Sequence, residues 1–554
     1  MERIWYKAYD QGVPATLDYP EVPLYQFLDK AARDSPGTAA TIFMGRKMTY
    51  EKLTRLADRF AAALAYLGIR KGDRVALFLP NCPPYPIAFF GALKVGAILV
   101  PTHLLLEEEE LCYRLNDSGA ETLVTLDLES LLSRAASLRG RTKLRNLIIS
   151  RLAEYLPFPQ SIIYSLRQKF RAPVREEKGV YWLEDLLRRS AGPVPEVKTK
   201  PDDIAVLEYT GGTTGASKAA CLTHRNLIAN VFQCRWWLPD LRVGREVFLC
   251  IIPFFFHTTS LIFPIYVKST MVLVPRFDVD ELLRLIHRYK PTLFMGVPTI
   301  YEALVKHPKL GRFDLSFFRF CLSGSAPLSP EVSAKFKNLT GCEIIEGYGL
   351  TEASPAALCN PLRGRKRGVG IPLPDTDCKV VDLETGEELP SGIPGELCLK
   401  GPQVMAGYWN RPQETEKALK DGWLHTGDVA VMDEEGYFHL LDRREDLIVI
   451  RRPDQESRAY VFPSEVEEFL QRHPGVLEAA VIGLPDPHQG QRPKAFVVLR
   501  EGQECTPEEL IEFCRQGLPD YKVPAQVEFR KELPKSGTGK VLRRRLREEE
   551  SKAS

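Results

Sequence analysis

Helical and strand patterns alternate along this chain, and that alternation limits the folds it can adopt. LTRLADRFAAALAYLGI, from Leu53, places apolar residues at helical spacing, and RVALFLP, from Arg74, is short and apolar like a buried strand. PIAFFGALKVGAILV, from Pro86, repeats the cycle, which resumes at DIAVLEY, from Asp203, and continues through PTLFMGV and FRFCLSG. Such alternation predicts an α/β fold, in which ligand sites lie at the carboxyl ends of the strands.

The chain is too long for one hydrophobic core. Its 554 residues exceed the roughly 250 to 300 residues at which single cores stop growing. After Gly395 the pattern changes to short β-like runs, ELCLKG and YFHLLDR, and then to a segment with helices of its own, SEVEEFLQRH and PEELIEFCRQ. We therefore expect at least two domains, the second beginning near Asp442.

Charge and cysteine usage exclude several classes of protein. Lys and Arg number 74 against 72 Asp and Glu, so the molecule as a whole has no field that would hold polyanions, and nucleic acid is not an expected partner. The 12 cysteines form no Cys-x-x-Cys pair and no Cys/His cluster at metal-ligand spacing, which fits reduced thiols in the cytoplasm. The stretch from Met1 to Asp10 lacks the apolar core of a secretory signal, so we expect the mature chain to begin there.

Two segments raise the question of membrane contact. Val247 to Val267 is the most apolar stretch and nearly reaches the length of about 20 residues that spans a bilayer, but prolines, a histidine and hydroxyl groups interrupt it. We expect a buried strand, loop and helix there. Leu152 to Arg175 is basic with interleaved aromatic residues, and either forms a solvated surface helix or rests on the inner face of the membrane.

The segment YTGGTTGASK, from Tyr209 to Lys218, follows an apolar strand and combines glycines and threonines with a lysine. Glycines let backbone N–H groups approach phosphate oxygens, threonine hydroxyls donate further hydrogen bonds, and the lysine supplies a positive charge. The loop is not a Walker A motif, since Ser217 stands where that motif needs glycine, and the later GTGK ending at Lys540 fails because Pro534 takes the first glycine position. A phosphate-binding loop is favoured over a plain surface loop.

Together with EGYGLTE, from Glu346, and TGD, from Thr426, this loop resembles the adenylate-forming superfamily of acyl-CoA synthetases, luciferases and peptide-synthetase adenylation domains. Further motifs follow in the family's order, so the resemblance covers nearly the whole chain. They are LTHRN at 222–226, GVPTIY from 296, SGSAP at 323–327, VGIPLPDTD from 369, GPQVMAGYWNRPQET from 401, DR at 442–443 and GTGKVLRR from 537. The sequences of these motifs are most similar to those of bacterial long-chain fatty-acid CoA ligases.

The resemblance implies both an architecture and a reaction. The architecture is a large N-terminal domain of stacked α/β subdomains, residues 1–441, and a small, mobile α+β C-terminal domain, residues 442–554. In the reaction a fatty acid and ATP, with Mg²⁺, give an acyl-adenylate and pyrophosphate, and CoA then displaces AMP. Fatty acid and CoA are the implied partners; a homodimer is left open.

Adenylation brings a carboxylate anion to a polyanion, and two unit charges 4 Å apart repel by about 4 kcal/mol at an effective dielectric constant near 20. Cations and N–H donors must offset that repulsion. By resemblance, Glu352 holds Mg²⁺, Thr351 contacts the α-phosphate, and Lys218 steadies the departing pyrophosphate. The loop residues assigned to ATP are Thr210, Gly211, Gly212, Thr213, Thr214 and Gly215.

The resemblance also assigns residues to the ribose and the adenine of ATP. Asp428 is expected to accept both ribose hydroxyls with help from Arg443, and Tyr348, followed by Gly349, is expected to stack on adenine. The other side of the adenine would be lined by the backbone of Ser325, Ala326 and Pro327. The alternative for each is a packed turn without a ligand.

Three further assignments rest on the same resemblance, and the tryptophan pair is an additional candidate. Lys540 matches the lysine that the small domain places between the carboxylate and the α-phosphate, and Asp442 matches the hinge about which that domain turns. His257 matches a histidine near the acyl carboxylate. Trp236 and Trp237 are candidates for a gate on an apolar acyl pocket, although a tryptophan pair after a helix is more often core.

The sequence departs from the family after the hinge. Relatives continue with a short glycine loop of the kind GGYNIYP, whereas Ile448 to Pro463 is longer, polar and free of glycine. From His257 the chain reads HTTS, whereas relatives usually have a histidine, two further residues and then a glycine. Two alternatives therefore stay open: an enzyme that stops at the adenylate or loads a carrier-protein thiol, and a binding protein that has lost catalysis.

Overall fold

The computed structural model describes residues 3–169, 177–190, 192–210, 217–451, 458–535 and 541–553. Within those ranges the strands form four sheets, of seven, nine, five and five strands. The strands are β1 (Ala39–Phe43), β2 (Arg46–Thr49), β3 (Arg74–Leu77), β4 (Ile98–Pro101), β5 (Thr122–Leu126), β6 (Asn146–Ser150), β7 (Val180–Trp182), β8 (Ile204–Thr210), β9 (Lys218–Thr223), β10 (Val247–Cys250), β11 (Thr270–Leu273), β12 (Leu293–Gly296), β13 (Phe320–Ser323), β14 (Ile344–Gly349), β15 (Ala356–Cys359), β16 (Ile371–Pro372), β17 (Asp377–Val381), β18 (Gly395–Lys400), β19 (Leu419–Lys420), β20 (Trp423–Met432), β21 (Phe438–Arg443), β22 (Ile448–Arg451), β23 (Arg458–Val461), β24 (Val476–Asp486), β25 (Gly490–Leu499) and β26 (Gln526–Phe529).

Helices connect and cover the sheets. They are α1 (Gln26–Asp34), α2 (Tyr50–Tyr66), α3 (Pro84–Lys94), α4 (Glu108–Ser118), α5 (Glu129–Leu138), α6 (Gln160–Lys169), α7 (Leu183–Arg189), α8 (His224–Trp237), α9 (Phe263–Tyr266), α10 (Val279–Tyr289), α11 (Pro298–Lys306), α12 (Pro330–Thr340), α13 (Pro412–Ala418), α14 (Pro463–Gln471), α15 (Pro507–Arg515) and α16 (Arg543–Ala553). The hydroxyl of Thr49 caps α2 by accepting from the Lys52 N–H, and Thr223 with Asn226 forms a reciprocal cap on α8. Such caps satisfy N–H groups that a helix start leaves unpaired, so they fix where these helices begin.

The two larger sheets are mostly parallel. The seven-stranded sheet runs β7-β6-β5-β3-β4-β8-β9, with only β9 antiparallel to its neighbour. The nine-stranded sheet runs β16-β15-β14-β13-β12-β10-β11-β1-β2 and is parallel from β14 to β1. The predicted α/β fold is confirmed, because the α2-β3-α3-β4 cycle supplies neighbouring parallel strands through crossover helices.

The two parallel sheets meet around α3, whose residues are buried along its whole length. Just before α3, the Asn81 amide donates to the carbonyls of Cys250 and Ile252, at 3.0 Å each, and accepts from the Phe254 N–H at 2.7 Å. These bonds tie the first sheet to the aromatic run that follows β10. That run is thereby held in place beside the site described below.

The apolar stretch from Val247 to Val267 is a buried strand, a loop and a short helix, as predicted. It contains β10, a π-helical turn at Thr258–Ile262 and α9. In the described part of the chain, no helix combines the length and the apolar character that a bilayer crossing needs.

Two five-stranded sheets complete the molecule. The first runs β17-β18-β20-β19 with β21 on β20, and the second runs β23-β22-β25-β24 with β26 on β25. The second sheet has apolar side chains on both faces, one covered by α14 and α15 and the other contacting Leu546 of α16. It forms the small C-terminal α+β domain that the resemblance implies, whereas the boundary between residues 441 and 442 and the domain's mobility stay predictions.

Candidate active site

A cavity of about 300 Å³ opens at the carboxyl ends of β10, β12, β13 and β14. Parallel strands end at one edge of a sheet, which is why loops distant in sequence meet there. Glu208 of β8 joins the cavity wall from the neighbouring sheet. Most of the wall is apolar and consists of Leu222, Trp237, Leu238, Ile252, Phe255, Phe256, Met295, Val297, Leu322, Leu350, Leu358 and Leu373. Such a cavity suits a hydrophobic ligand that carries few polar groups.

Tyr348 in the cavity wall belongs to a hydrogen-bonded group that we call the Asp428 cluster: Tyr348, Asp428 and Arg443. The Tyr348 hydroxyl donates to Asp428 Oδ2 at 2.6 Å, and Arg443 Nη1 donates to Asp428 Oδ1 at 2.9 Å. Asp428 and Arg443 face each other as register partners on β20 and β21. Burial raises the pKa of Tyr348 well above its ordinary value, and the Asp428 charge adds to the rise, so the hydroxyl stays protonated and donates.

Local backbone geometry places the Asp428 cluster. Gly427 adopts a φ of 71°, and a Cβ on Gly349 would lie 2.1 Å from the Pro355 carbonyl oxygen, so both positions require glycine. Thr426 accepts the Asp428 N–H at 3.0 Å, which closes the TGD turn. The glycines of the two motifs are therefore structural requirements of the turns that carry Tyr348 and Asp428.

Glu352 and Lys218 meet at a residue that the sequence analysis left without a role. The Tyr408 hydroxyl donates to Glu352 Oε1 at 2.7 Å, and Lys218 Nζ lies 5.3 Å from the centre of the Tyr408 ring. The segment that carries Tyr408 runs beside β9 and exchanges backbone hydrogen bonds with Ala219 and Cys221. Tyr408 belongs to the quoted motif GPQVMAGYWNRPQET, so the motif contained the only signal for this contact.

The remaining loops divide between the cavity and its surroundings. Ser325, with a φ of 72°, and Thr351 line the cavity, whereas Ala326 and Pro327 are not part of its wall. The Leu328 N–H donates to a Glu346 carboxylate oxygen at 3.0 Å, which fixes the SGSAP loop to β14. The structure thus brings Ser325, Thr351, Tyr348 and Gly349 together.

Several assigned residues lie outside the described residues: Gly211, Gly212, Thr213, Thr214, Gly215 and Lys540. The two ends of the phosphate loop are described, and Thr210 and Lys218 are register partners on β8 and β9. Ser217 is held by Glu110 and Arg114 of α4, and its carbonyl accepts from the Tyr113 hydroxyl at 3.0 Å. The loop therefore starts and ends at a well-anchored hairpin.

Asp442 connects β21 to the small domain. Its Oδ2 accepts from the Ser464 hydroxyl at 2.6 Å and from the Ser464 N–H at 3.0 Å, at the start of α14. Arg543, three residues after Lys540 in sequence, contacts Glu467 at 2.7 Å and Asp446 at 3.4 Å and lies 3.7 Å from Asp442. The expected hinge is thus in direct contact with the first turn of the helix that follows the GTGK motif.

The rewritten segment after the hinge forms a β-hairpin. β22 pairs with β23 in antiparallel register, from Ile448 opposite Val461 to Arg451 opposite Arg458. The Tyr460 hydroxyl lies 3.2 Å from a Glu384 carboxylate oxygen of the other five-stranded sheet region. The two strands contain the apolar residues of IVI and AYV, in a segment that the sequence analysis described as polar. The tip of the hairpin, at 452–457, lies outside the described residues.

His257 and the tryptophan pair take different positions. His257 is buried and lines the cavity, with Nδ1 3.3 Å from Glu208 Oε2. Trp237 also lines the cavity, and its indole N–H donates to the Asn360 carbonyl at 3.0 Å. Trp236 is 40% exposed and is not part of the wall, so the structure brings one of the two candidate gate residues to the cavity. The Glu208 contact had no signal in the sequence analysis.

The described side chains can be examined as possible ligands of Mg²⁺. Among the described residues, no group of three or more acidic, His or Cys side chains could hold a metal ion alone. Mg²⁺ commonly keeps several waters and binds through one or two carboxylates plus substrate phosphates. Glu352, oriented by Tyr408 and close to Lys218, fits such a one-carboxylate site.

Comparisons with known proteins agree with this geometry. The family model described as AMP-binding enzyme matches residues 28–409, and the model described as AMP-binding enzyme C-terminal domain matches residues 465–540. A long-chain-fatty-acid–CoA ligase of Bacillus subtilis is 42% identical over 560 residues, covering 99% of this chain and 98% of that protein. The ligase of the same name from Escherichia coli is 38% identical over 570 residues, covering 99% of this chain and 98% of its own.

A solved structure extends the likeness to three dimensions. The anthranilate CoA ligase AuaEII, solved in complex with anthranoyl-AMP, superposes with a TM-score of 0.80 at 28% identity, covering 97% of this chain and 98% of its own. The match of both family models, together with relatives this similar over almost their full lengths, shows the family. This chain belongs to the AMP-binding enzyme family.

Proposed function

We propose that this chain is a long-chain-fatty-acid–CoA ligase, which activates a fatty acid with ATP to an acyl-adenylate and then transfers the acyl group to CoA. The observation that carries the proposal is an apolar cavity whose wall includes Tyr348, the tyrosine that donates a hydrogen bond to Asp428. An acyl chain in the cavity would bring its carboxylate to the place where a nucleotide would lie. The similarity to ligases of this name over nearly the full chain supports the choice of acid.

In the first step the described residues bind and orient the nucleotide. Each Asp428 oxygen has two lone pairs and uses one on Tyr348 or Arg443, so both oxygens can still accept ribose hydroxyls. The Tyr348 ring, held by its hydroxyl on the cavity wall, offers a face to the adenine. Lys218 brings positive charge to the phosphates, and Glu352 would hold Mg²⁺, which offsets phosphate charge when bound.

The second step is proposed to use the small domain. Lys540 would enter the site for adenylation, and rotation about Asp442 would then exchange it for a surface that admits the CoA thiol. The boundary between residues 441 and 442 is part of the same proposal, and the contact between Asp442, near the end of β21, and Ser464, at the start of α14, supports it. The hairpin of β22 and β23 takes the position in sequence of the glycine loop that lines the path of the CoA thiol in relatives.

One experiment tests both steps. ATP–pyrophosphate exchange and CoA thioester formation are measured side by side with short, medium, long-chain and aromatic acids. We expect exchange with long-chain acids and CoA-dependent release of AMP. Exchange without any thioester would point to an enzyme that stops at the adenylate or uses another thiol, and failure of exchange with every acid would overturn adenylation itself.

We also propose that the enzyme contacts the inner face of the membrane through α6. Tyr164 holds this helix by donating to Asp127 at 3.2 Å, while the opposite side exposes Phe158, Ile162, Ile163 and Leu166. Arg46 donates to the carbonyls of Glu154 and Leu156 just before α6. Beside them lies a groove of about 200 Å³ lined by Arg46, Lys47, Lys52, Arg59, Arg188, Glu154 and Glu184, a cationic excess that suits anionic lipid headgroups.

Vesicle binding tests this contact. An Ile162→Ser/Ile163→Ser variant is expected to lose sedimentation with phosphatidylglycerol vesicles, whereas Ile393→Ser, at a similarly exposed position, retains it. Sedimentation that is equal for both would overturn the contact. Loss of a dimer in the α6 variant, measured by light scattering without lipid, would instead identify α6 as a surface between two copies of this chain.

A further inference from the structure

The wall of the acyl cavity contains a buried carboxyl beside a buried imidazole, which we call the Glu208–His257 pair. Glu208 comes from β8 and His257 from the loop after β10, and both line the cavity. Their side chains are 13% and 3% exposed, and Oε2 lies 3.3 Å from Nδ1. An apolar wall rarely contains ionisable groups unless they have a partner or a task.

The hydrogen bonds of the pair are incomplete. His257 Nδ1 lies 3.0 Å from the Phe255 carbonyl oxygen, and a carbonyl can only accept, so Nδ1 carries a proton directed at Phe255. Glu208 Oε2 does not receive that hydrogen bond, and within the described residues neither Oε2 nor His257 Nε2 has a hydrogen-bond partner. Buried polar atoms without a partner in the free protein mark places where a ligand or a water completes the bonding.

We infer that Glu208 is a positioning residue for the acyl carboxylate and acts through His257. With Glu208 ionised, the imidazole can hold a second proton at Nε2, and this N–H donates to one oxygen of the substrate carboxylate. The pair then meets the incoming anion as a compensated ion pair, which limits the repulsion that a lone buried carboxylate would exert. The inference rests on the proposed function, because it needs a carboxylic acid in the cavity.

The surroundings of Glu208 are compatible with this role. Burial raises the pKa of Glu208, while His257 and, more weakly, Arg114 lower it. The Tyr85 hydroxyl of α3 is also buried, and burial raises the pKa of Tyr85 well above its ordinary value, so it adds no charge. The Phe89 ring lies against His257 with a centroid separation of 5.7 Å. Because its pKa is raised, Glu208 gains a proton and loses its charge at a higher pH than an exposed glutamate does.

The test is Glu208→Gln, assayed by pyrophosphate exchange with a long-chain acid varied between pH 5 and pH 8. A hydrogen bond to a charged group is worth roughly a tenfold change in affinity or more, so we expect the KM for the acid to rise about tenfold at neutral pH. The kcat at saturation and the KM for ATP should stay within about twofold. Toward acidic pH the wild-type KM should rise and meet that of the variant, because the wild-type carboxyl then also becomes neutral.

Controls separate this role from a structural one. Glu246→Gln removes another buried carboxylate, which accepts from the Arg242 N–H at 2.8 Å and is not part of the cavity wall, and is expected to change neither KM. Glu208→Asp should restore part of the affinity. Adding Glu208→Gln to His257→Ala should have no further effect, because Glu208 acts only through the imidazole.

Several outcomes would overturn the inference. They are a fall in kcat with an unchanged KM, pH profiles of wild type and Glu208→Gln that stay parallel, and additive effects in the double variant. If Glu208→Gln does not fold, the His257→Ala and Glu208→Asp profiles decide the question in the same way. Absence of exchange in the wild type with every acid would instead contradict the proposed function and is distinguishable from these results.

Discussion

Asp428 and Glu208 are two acidic residues of one candidate site, and their surroundings differ. Asp428 already has a tyrosine hydroxyl and a guanidinium on its two oxygens, whereas the Oε2 of Glu208 has no hydrogen-bond partner within the described residues. The proposed nucleotide end, around Asp428, is thus organised before any ligand arrives. The proposed acyl end, around Glu208, keeps unsatisfied polar atoms inside an apolar wall, which a ligand can satisfy. The difference suggests rigid recognition of the nucleotide and ligand-dependent completion of the acyl end.

The largest expected effect breaks the organised end. Asp428→Asn removes the negative charge that is proposed to accept the ribose hydroxyls, and a hydrogen bond to a charged group contributes about 1.5 to 3 kcal/mol. Because two such bonds are weakened, we expect the upper part of that range, and kcat/KM for ATP should fall about 100-fold in pyrophosphate exchange.

Asp433→Asn is the matched control at the other end of the same strand pair. It also loses a pairing with an arginine, Arg367 at 3.3 Å, but lies outside the site, so ATP kinetics should not change. If Asp428→Asn raised the KM for the acid and left ATP unaffected, the assignment of the two ends would be wrong.

The second prediction alters the size of the acyl end. Trp237→Phe removes part of a side chain that lines the cavity, and the added space can bury about two more methylenes at about 0.8 kcal/mol each. The ratio of kcat/KM for the longest acids over shorter ones should therefore rise about tenfold, measured over a series of chain lengths.

Trp236→Ala provides the comparison within the same pair. Trp236 is outside the cavity wall, so its removal should leave the chain-length ratio unchanged. Equal responses of the two variants would show that the cavity described here does not hold the acyl chain.

These positions also show what the sequence could and could not predict. The α2-β3-α3-β4 cycle, the strand before the phosphate loop and the helices α14 and α15 follow from local apolar spacing and were predicted correctly, whereas α16 was not predicted. Trp236 and Trp237 are indistinguishable by composition. Successive residues of a helix point about 100° apart, so α8 directs only one of them into the cavity.

Contacts between distant segments were less predictable. Tyr348 and Asp428 are 80 positions apart, and Tyr408 and Glu352 are 56 apart, so no local pattern encodes these hydrogen bonds. The resemblance named three of the four residues but missed Tyr408. The hairpin after the hinge could have been predicted, because IVI and AYV flank a polar run with strand-like spacing, but the sequence analysis assigned no secondary structure to this segment.

A third prediction concerns Glu352, the proposed ligand of Mg²⁺. Tyr408→Phe removes the hydroxyl that orients Glu352, and a hydrogen bond to a charged group contributes about 1.5 to 3 kcal/mol. Part of that loss should appear as a roughly fivefold to tenfold higher Mg²⁺ concentration for half-maximal exchange. Tyr437→Phe, which loses a bond to the Arg365 carbonyl outside the site, should leave the Mg²⁺ dependence unchanged. An effect of Tyr408→Phe on acid affinity alone would contradict the role.

The smallest expected effect comes from a variant that removes one of the hydrogen-bond donors to Asp442. Ser464→Ala removes the hydroxyl that donates to Asp442 at 2.6 Å, and losing one donor to a buried carboxylate should lower the free energy of unfolding of the small domain by about 1 kcal/mol. Burial raises the pKa of Asp442, and the Ser464 donors lower it, so the variant pKa is higher still. The stability that Ser464 adds is therefore present while Asp442 is ionised and disappears as the pH falls through its pKa.

Denaturant unfolding at neutral and acidic pH measures this difference. The gap between wild type and Ser464→Ala should be widest near neutral pH and should close in acid. Ser329→Ala, at a helix start without a side-chain cap bond, should show no such pH dependence. A gap that stays constant with pH would mean that Ser464 acts through the Leu441 carbonyl, 3.0 Å from its hydroxyl, and not through the Asp442 charge. In that case packing would hold the Asp442 carboxylate in position. The number of hydrogen bonds on a carboxylate would then not be enough to explain how the two ends of the site differ.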